Sequence, residues 1–333
     1  RRIRNLDMKD IKNNLTTSKN STNIQSRKTK SFGYQVLGFG GGETPIDPVD
    51  FDYLVLAGGG AGQQGLGGGG GGGGHRTSFP GGTKVTVDTK ETTITVGAGG
   101  TGANPNPPSF AGGKGVDSSI GTAIVSAGGG AMNTTSAFPG TPGANPTNAA
   151  IRNGGSGAGQ THQQQQYTGL GNVPPFPGGP ANPVQGYPGG PGGGSYGASG
   201  GGGAGGAGSN GSVPGSPTNN SGPGGPGVAN SITGSSVTRG GGGGGGPYVA
   251  GAGSGGPGGG GGAATAGTNG LGGGGGGPPP GGTPVPGGNG IVIMRLASSA
   301  APTNLAVAPG SNTIANDGSD KVLTFNVTGT LTI

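Results

Sequence analysis

The chain has 333 residues, of which 94 are Gly and 29 are Pro, while 27% are hydrophobic, 8% charged and 4% aromatic. So few large apolar side chains exclude a hydrophobic core in proportion to the length, because core stabilisation scales with buried apolar area, and the default for such Pro and Gly content is low complexity or disorder. The net charge of +6 belongs to one end: residues 1–30 hold nine Lys or Arg against two Asp, a balance of +7, so the remainder sums to −1 and the main body is not read as a nucleic-acid-binding surface.

In chain order, residues 1–31 form a basic, polar arm, with Ile3, Leu6, Met8, Ile11 and Leu15 near helical spacing. The arm reads either as a short amphipathic helix or as a segment that orders on a partner. Residues 32–50 are a connecting segment, with a short strand predicted at Tyr34-Gln35-Val36-Leu37. Residues 51–296 form the glycine-rich body and 297–333 a small C-terminal β segment. The body opens on a predicted strand, Phe51–Ala57, which runs directly into Gly58-Gly59-Gly60. Lys84–Val87 and Thr92–Val96 alternate with period two around Asp88-Thr89-Lys90-Glu91 and predict a hairpin. Thr122–Ser126 predicts another strand entering a glycine run, and Val228–Thr238 a tight hairpin around Gly234-Ser235. An exit strand follows at Ile291–Leu296. In the last segment Leu323, Phe325 and Val327 alternate with Thr324 and Asn326, the pattern of a half-buried strand, and Leu331-Thr332-Ile333 is read as its pairing partner.

Three readings compete for the glycine-rich stretches. Flexible linker is the first. Collagen is the second, but it needs Gly at every third position, and no such register survives more than a few triplets. The third is a bundle of polyproline-II-like polyglycine helices bracketed by short β-strands. Such helices have three residues per turn and no internal hydrogen bonds, so their backbone groups are free to bond neighbouring helices. Spacing favours it: Ala198, Gly201, Ala204, Ala207 and Asn210 recur at intervals of three, as do Pro188 and Pro191, Pro223 and Pro226, and Ser254 and Pro257. The pure runs Gly67–Gly74, Gly240–Gly246 and Gly272–Gly277 have no side chain on any edge and suit an interior, with turns expected at Asn153, Asn210, Asn219-Asn220 and Pro278-Pro279-Pro280. The expected fold class is therefore mainly irregular and β.

Catalytic chemistry finds no support. GxGxxG matches recur as often as chance predicts in such a sequence. Lys114 follows Gly112-Gly113, but Pro108 stands where a phosphate-binding loop needs Gly, and Gly115 replaces Ser or Thr. With no Cys, disulfides and thiolate metal sites are excluded. His75 and His162 lack acidic or thiol partners and are read as surface-loop residues, so no metal or other cofactor is expected. Asp47, Asp50 and Asp52 are read as strand-entry turn residues. No stretch approaches the 18 or more apolar residues of a membrane span, and the basic N-terminal residues are not followed by the apolar run of a secretory signal.

Four segments in order carry a resemblance. They are Phe51-Asp52-Tyr53-Leu54-Val55-Leu56-Ala57-Gly58-Gly59-Gly60, Ile94-Thr95-Val96-Gly97-Ala98-Gly99-Gly100-Thr101-Gly102, Asn230–Thr238 before Gly240–Gly246, and Gly287-Gly288-Asn289-Gly290-Ile291-Val292-Ile293-Met294-Arg295. As an ordered set over about residues 51–296 they resemble the glycine-rich domain of tailed-bacteriophage virion proteins, including tail fibres and other surface appendages. Tyr34–Gly40 is similar to an N-terminal segment of cyanophage structural proteins. The resemblance implies a polyglycine-helix sandwich of the kind found in phage adhesin tips, on a virion surface assembled in the host cytoplasm.

The function expected is a virion appendage, tail fibre or adhesin-like, holding a rigid scaffold for host attachment. The alternative is a capsid decoration or stabilising fibre with no receptor role. The basic arm, with Arg1, Arg2, Arg4, Lys9 and Lys12, is the expected anchor to other virion proteins. His162, Gln163, Gln164, Gln165, Gln166 and Tyr167, with Phe176 and Tyr187, gather amides and aromatics suited to a saccharide or protein surface on the host, and are the expected receptor-binding residues. Loops that merely cap the edge of the glycine body are the competing reading of the same residues. A homotrimer is the assembly to test, since phage fibres are often trimers.

Overall fold

The computed structural model describes residues 46–65, 67–102, 112–132, 149–161, 168–179, 182–192, 197–212, 220–248 and 251–333. The basic arm, with Arg1, Arg2, Arg4, Lys9 and Lys12, and the strand predicted at Tyr34–Leu37 lie outside the described residues. Within them the chain is mostly extended, with thirteen strands in antiparallel sheets, one short helix α1 (Ala149–Arg152) and one 3-10 turn.

The longest strands come from the longest apolar runs. β1 (Val49–Leu56) lies between β9 (Ile291–Ala297) and β2 (His75–Thr77) in a six-stranded sheet. That sheet continues through β12 (Asp320–Phe325) to β11 (Thr313–Asp317), and β3 (Val85–Val87) pairs with the first half of β1. β1 and β9 are apolar at successive positions because both faces of the sheet are covered. On one face Leu54, Leu56, Ile291, Ile293 and Val322 pack with Ile232 and Phe79, under the hairpin of β7 (Val228–Asn230) and β8 (Val237–Arg239). On the other, β5 (Ser118–Ile120) and β6 (Ile124–Ser126) lie against β1. These strands belong to a five-stranded sheet of order β10 (Ala306–Ala308), β13 (Gly329–Thr332), β4 (Glu91–Thr95), β5, β6. Each buried Leu or Ile side chain here stabilises by about 1.5–3 kcal/mol.

Arg295 closes one edge of the first face. Its guanidinium donates to Asp317 at 2.7 Å, to Asp320 at 2.8 Å and to the Ile232 carbonyl at 2.9 Å, and it lies 5.6 Å from the Phe79 ring centre. Two carboxylates and a carbonyl thus satisfy a charge that burial alone would penalise.

Strand pairing departs from the sequence expectation in two places. Val85–Val87 and Glu91–Thr95 do not form a hairpin with each other: β3 pairs with β1 and β4 with β13 and β5, so the loop between them is a corner between two sheets. Likewise β13 pairs with β4 and β10, whereas β12 lies between β9 and β11. In both cases short strands with period two gain more from completing distant sheets than from pairing locally. Asp50 and Asp52 also differ from expectation, since both lie inside β1. Asp50 accepts the Thr86 hydroxyl at 2.6 Å, and Asp52 accepts the Ser78 hydroxyl at 2.9 Å and pairs with Lys84 at 3.3 Å.

The glycine runs extend from the strands and are joined by backbone hydrogen bonds that recur every third residue. Ala57, Gly60 and Gln63 donate to Gly74, Gly71 and Gly68; Gly58 and Ala61 donate to Val116 and Gly113; Gly59 and Gly62 donate to Gly288 and Val285. From the next run, Gly69 and Gly72 donate to Ser199 and Gly202, Gly70 and Gly73 to Gly275 and Gly272, and Gly71 and Gly74 to Gly130 and Ala127. Every residue of Gly67–Gly74, Gly240–Gly246 and Gly272–Gly277 is buried, as their lack of side chains predicts. Backbones touch there: a Cβ on Gly60 would overlap the carbonyl of Gly130.

The three-residue period also orders the surface. Asn220, Pro223 and Pro226 are exposed while Ser221, Gly222 and Gly225 are buried, and Ser254 and Pro257 are exposed while Gly253 and Gly256 are buried. The row from Ala198 to Asn210 is not one edge, however. The chain reverses where Gly203 donates to Gly206, so Ala198 and Ala204 are buried and Ala207 and Asn210 exposed.

Candidate functional site

The bonding register gives the glycine body two ends. At one end stand residues next to strands: Ala57 follows β1, Gly74 precedes β2, Ala127 follows β6, and Ala57 donates to Gly74 and Gly74 to Ala127. Opposite this strand end, Gly62 donates to Val285, Gln63 to Gly68, Gly112 to Met132 and Gly246 to Gly67. Here the runs hand over to loops: Gln64 and Gly65, Pro247 and Tyr248, and Pro278–Thr283 are described parts of this loop end.

The expected receptor residues divide between regions. His162, Gln163, Gln164, Gln165, Gln166 and Tyr167 lie outside the described residues. The chain leaves for them beyond Gly159, which donates to Gly69 near the loop end, and re-enters at Thr168, whose hydroxyl accepts from the Gln160 side chain at 3.2 Å. Phe176 lies at the strand end instead, its ring 5.3 Å from the Arg76 guanidinium of β2. Arg76 also donates to the carbonyls of Pro177 at 3.1 Å and Val125 at 2.8 Å, so the Phe176 segment is strapped to the edge of β6. The Tyr187 hydroxyl meets Asn182 Oδ1 at 3.3 Å, and its carbonyl accepts from Gly157. Phe176 is therefore held by the sheets and not beside the ends of the 162–167 segment.

His75 is fully buried at the start of β2, not in a surface loop as its lack of partners suggested. Burial, with the Arg239 charge nearby, lowers its pKa to about 4, and burial lowers that of Arg239 as well. Both ring nitrogens of His75 lack a hydrogen-bond partner among the described residues. No group of three His, Cys, Asp or Glu among the described residues could hold a metal ion, and no described helix is long and apolar enough to cross a membrane.

Sequence reasoning missed an open groove of about 450 Å³ between the runs that contain Asn210, Asn220 and Ser254. Those asparagines were expected to be turns. Their interval in the chain carried no sign of the groove, because it forms only where three runs meet.

The family described as a glycine-rich domain matches residues 41–297. No curated protein and no solved structure matches the chain.

Proposed function

From the premise that the chain belongs to the glycine-rich domain family over residues 41–297, we propose that it is a tailed-phage virion appendage whose body is a bundle of polyproline-II-like polyglycine helices. The observation that carries this reading is the hydrogen-bond cycle of run 57–63, in which each donor returns to the same neighbour after three residues. Three residues per turn with all bonds directed outward is the geometry of such helices. A body bonded this way, at roughly 1 kcal/mol net for each bond, holds its loops without a large apolar core.

A rigid scaffold with strands at one end and loops at the other suits display, since binding residues concentrate on loops positioned by a firm frame. In this reading the loop end faces the host, His162–Tyr167 serve as receptor-binding residues, and the basic arm engages other virion proteins. The ordered motif set from Phe51 to Arg295 supports the virion setting.

Antibodies against the purified chain, applied to phage particles that encode it, test the reading by electron microscopy. Decoration of an appendage is expected, together with blocked adsorption when host cells are pre-incubated with the purified protein. Absence from particles would overturn the virion assignment. Decoration without any block of adsorption would favour the stabilising or decorating fibre.

A further inference from the structure

We propose that the groove formed by Asn210, Ser212, Asn220, Pro223 and Ser254 is a binding site for a neutral saccharide. The inference stands on these side chains and not on the virion reading. The groove exists because the runs expose one residue in three: Asn220 and Pro223 form one ridge and Ser254 another, with Gly251 and Ala252 between them and the Asn220 amide lying over Gly251, where a Cβ would meet its Oδ1. Its volume of about 450 Å³ lies within the range of small-molecule sites.

The frame of the groove satisfies its own backbone. Ser212 donates its N–H to the Asn220 carbonyl at 2.8 Å, Asn220 donates its N–H to the Ser212 hydroxyl at 2.9 Å, and Ser221 donates its N–H to the Gly251 carbonyl at 2.7 Å. The Ser221 hydroxyl is turned inward to the Gly246 carbonyl at 2.8 Å. What remains are the side-chain amides of Asn210 and Asn220 and the hydroxyl of Ser254, all on exposed residues, which make no hydrogen bond to another described residue. Each amide offers two donors and an acceptor, and the hydroxyl offers both. Sugar hydroxyls, which also donate and accept, are the complementary ligand, and the Pro223 ring supplies apolar surface for the carbon face of a pyranose.

Charge decides the ligand class. No charged residue lines the groove, and between residues 153 and 294 the chain carries a single charge, the buried Arg239. A phosphate or carboxylate ligand would find no cation, and a basic ligand no anion. A polypeptide ligand is disfavoured because the described residues of the groove offer no aromatic or large aliphatic pocket to anchor one.

The test is saturation-transfer NMR on the purified full chain with the methyl glycosides of glucose, galactose, mannose and N-acetylglucosamine, each at millimolar concentration. Transfer to at least one of them is expected, unchanged when the salt is raised, because no ion pair contributes. The Asn210→Ala/Asn220→Ala double variant should weaken it by about tenfold or more, the loss of several hydrogen bonds, with the melting temperature unaltered. Ser254→Leu, which fills the groove without touching the asparagines, should also abolish transfer and serves if the double variant does not fold. Absence of transfer from all four glycosides overturns the proposal, as does transfer that survives both changes.

Discussion

Gly60 donates its amide hydrogen to the carbonyl of Gly71 at 2.8 Å, and Gly71 donates its own to Gly130 at 2.8 Å. Three separate runs, two of them consecutive and the third about sixty residues on, therefore meet through backbone alone, with no side chain between them. A Cβ on Gly60 would overlap the Gly130 carbonyl, and one on Gly71 the Ser156 carbonyl. Neither neighbour can swing away, because both are backbone.

Gly60→Ala and Gly71→Ala are each expected to destabilise the protein by about 3 kcal/mol, the upper end of overpacking in a filled interior. Gly310→Ala is the matched control. Nothing lies within 4 Å of a Cβ there, so its effect should stay within about 0.5 kcal/mol. Urea unfolding monitored by circular dichroism measures all three, and equal stabilities would show that the glycine runs are not in close contact.

His75 makes stability depend on acid. Burial beside Arg239 sets its pKa at about 4 against an ordinary 6.5, so the unfolded chain binds this proton more tightly than the folded one. Its contribution is constant above about pH 6.5, falls as the pH drops through the window between the two values, and by pH 4 amounts to a loss on the order of 3 kcal/mol. His75→Phe should remove that component, so the stability difference between variant and parent should change between pH 7 and pH 4. A difference that stays constant over this range would show that the imidazole is not buried and neutral.

The glycine-rich segment is not expected to fold without the C-terminal strands. Val322, Leu323, Phe325, Leu331 and Ile333 are buried, and β12 and β13 each lie between two other strands. Removing five such side chains, at about 1.5–3 kcal/mol each, forfeits an amount comparable with the whole stability of about 5–15 kcal/mol of an ordinary domain. A 47–296 fragment should therefore lack the cooperative thermal transition shown by 47–333, and a fragment that melts at the same temperature as the longer chain would contradict the sheet assignments.

Much of the architecture was legible in local sequence. Strands at Val49–Leu56, Ile291–Ala297 and Asp320–Phe325 follow from apolar runs and period two, and the burial of the pure glycine runs follows from their lack of side chains. The three-residue spacing of Pro223 and Pro226 reads as one edge of a run, and the structure has both exposed. These features depend on residues a few positions apart, where propensity and periodicity act directly.

Partners were another matter. That β3 joins β1 and not β4, that β13 joins β4 and not β12, that His75 is enclosed near Arg239, and that Phe176 lies on Arg76 are all long-range outcomes. A glycine run carries no side chain with which to specify its neighbour, so the choice among equivalent runs falls to the strands and loops that set their ends. The sequence by itself determined which segments are extended and which glycines are interior. Only the tertiary structure decided which backbone meets which, because that choice rests on the closure of chain segments far apart and on the packing of two sheets.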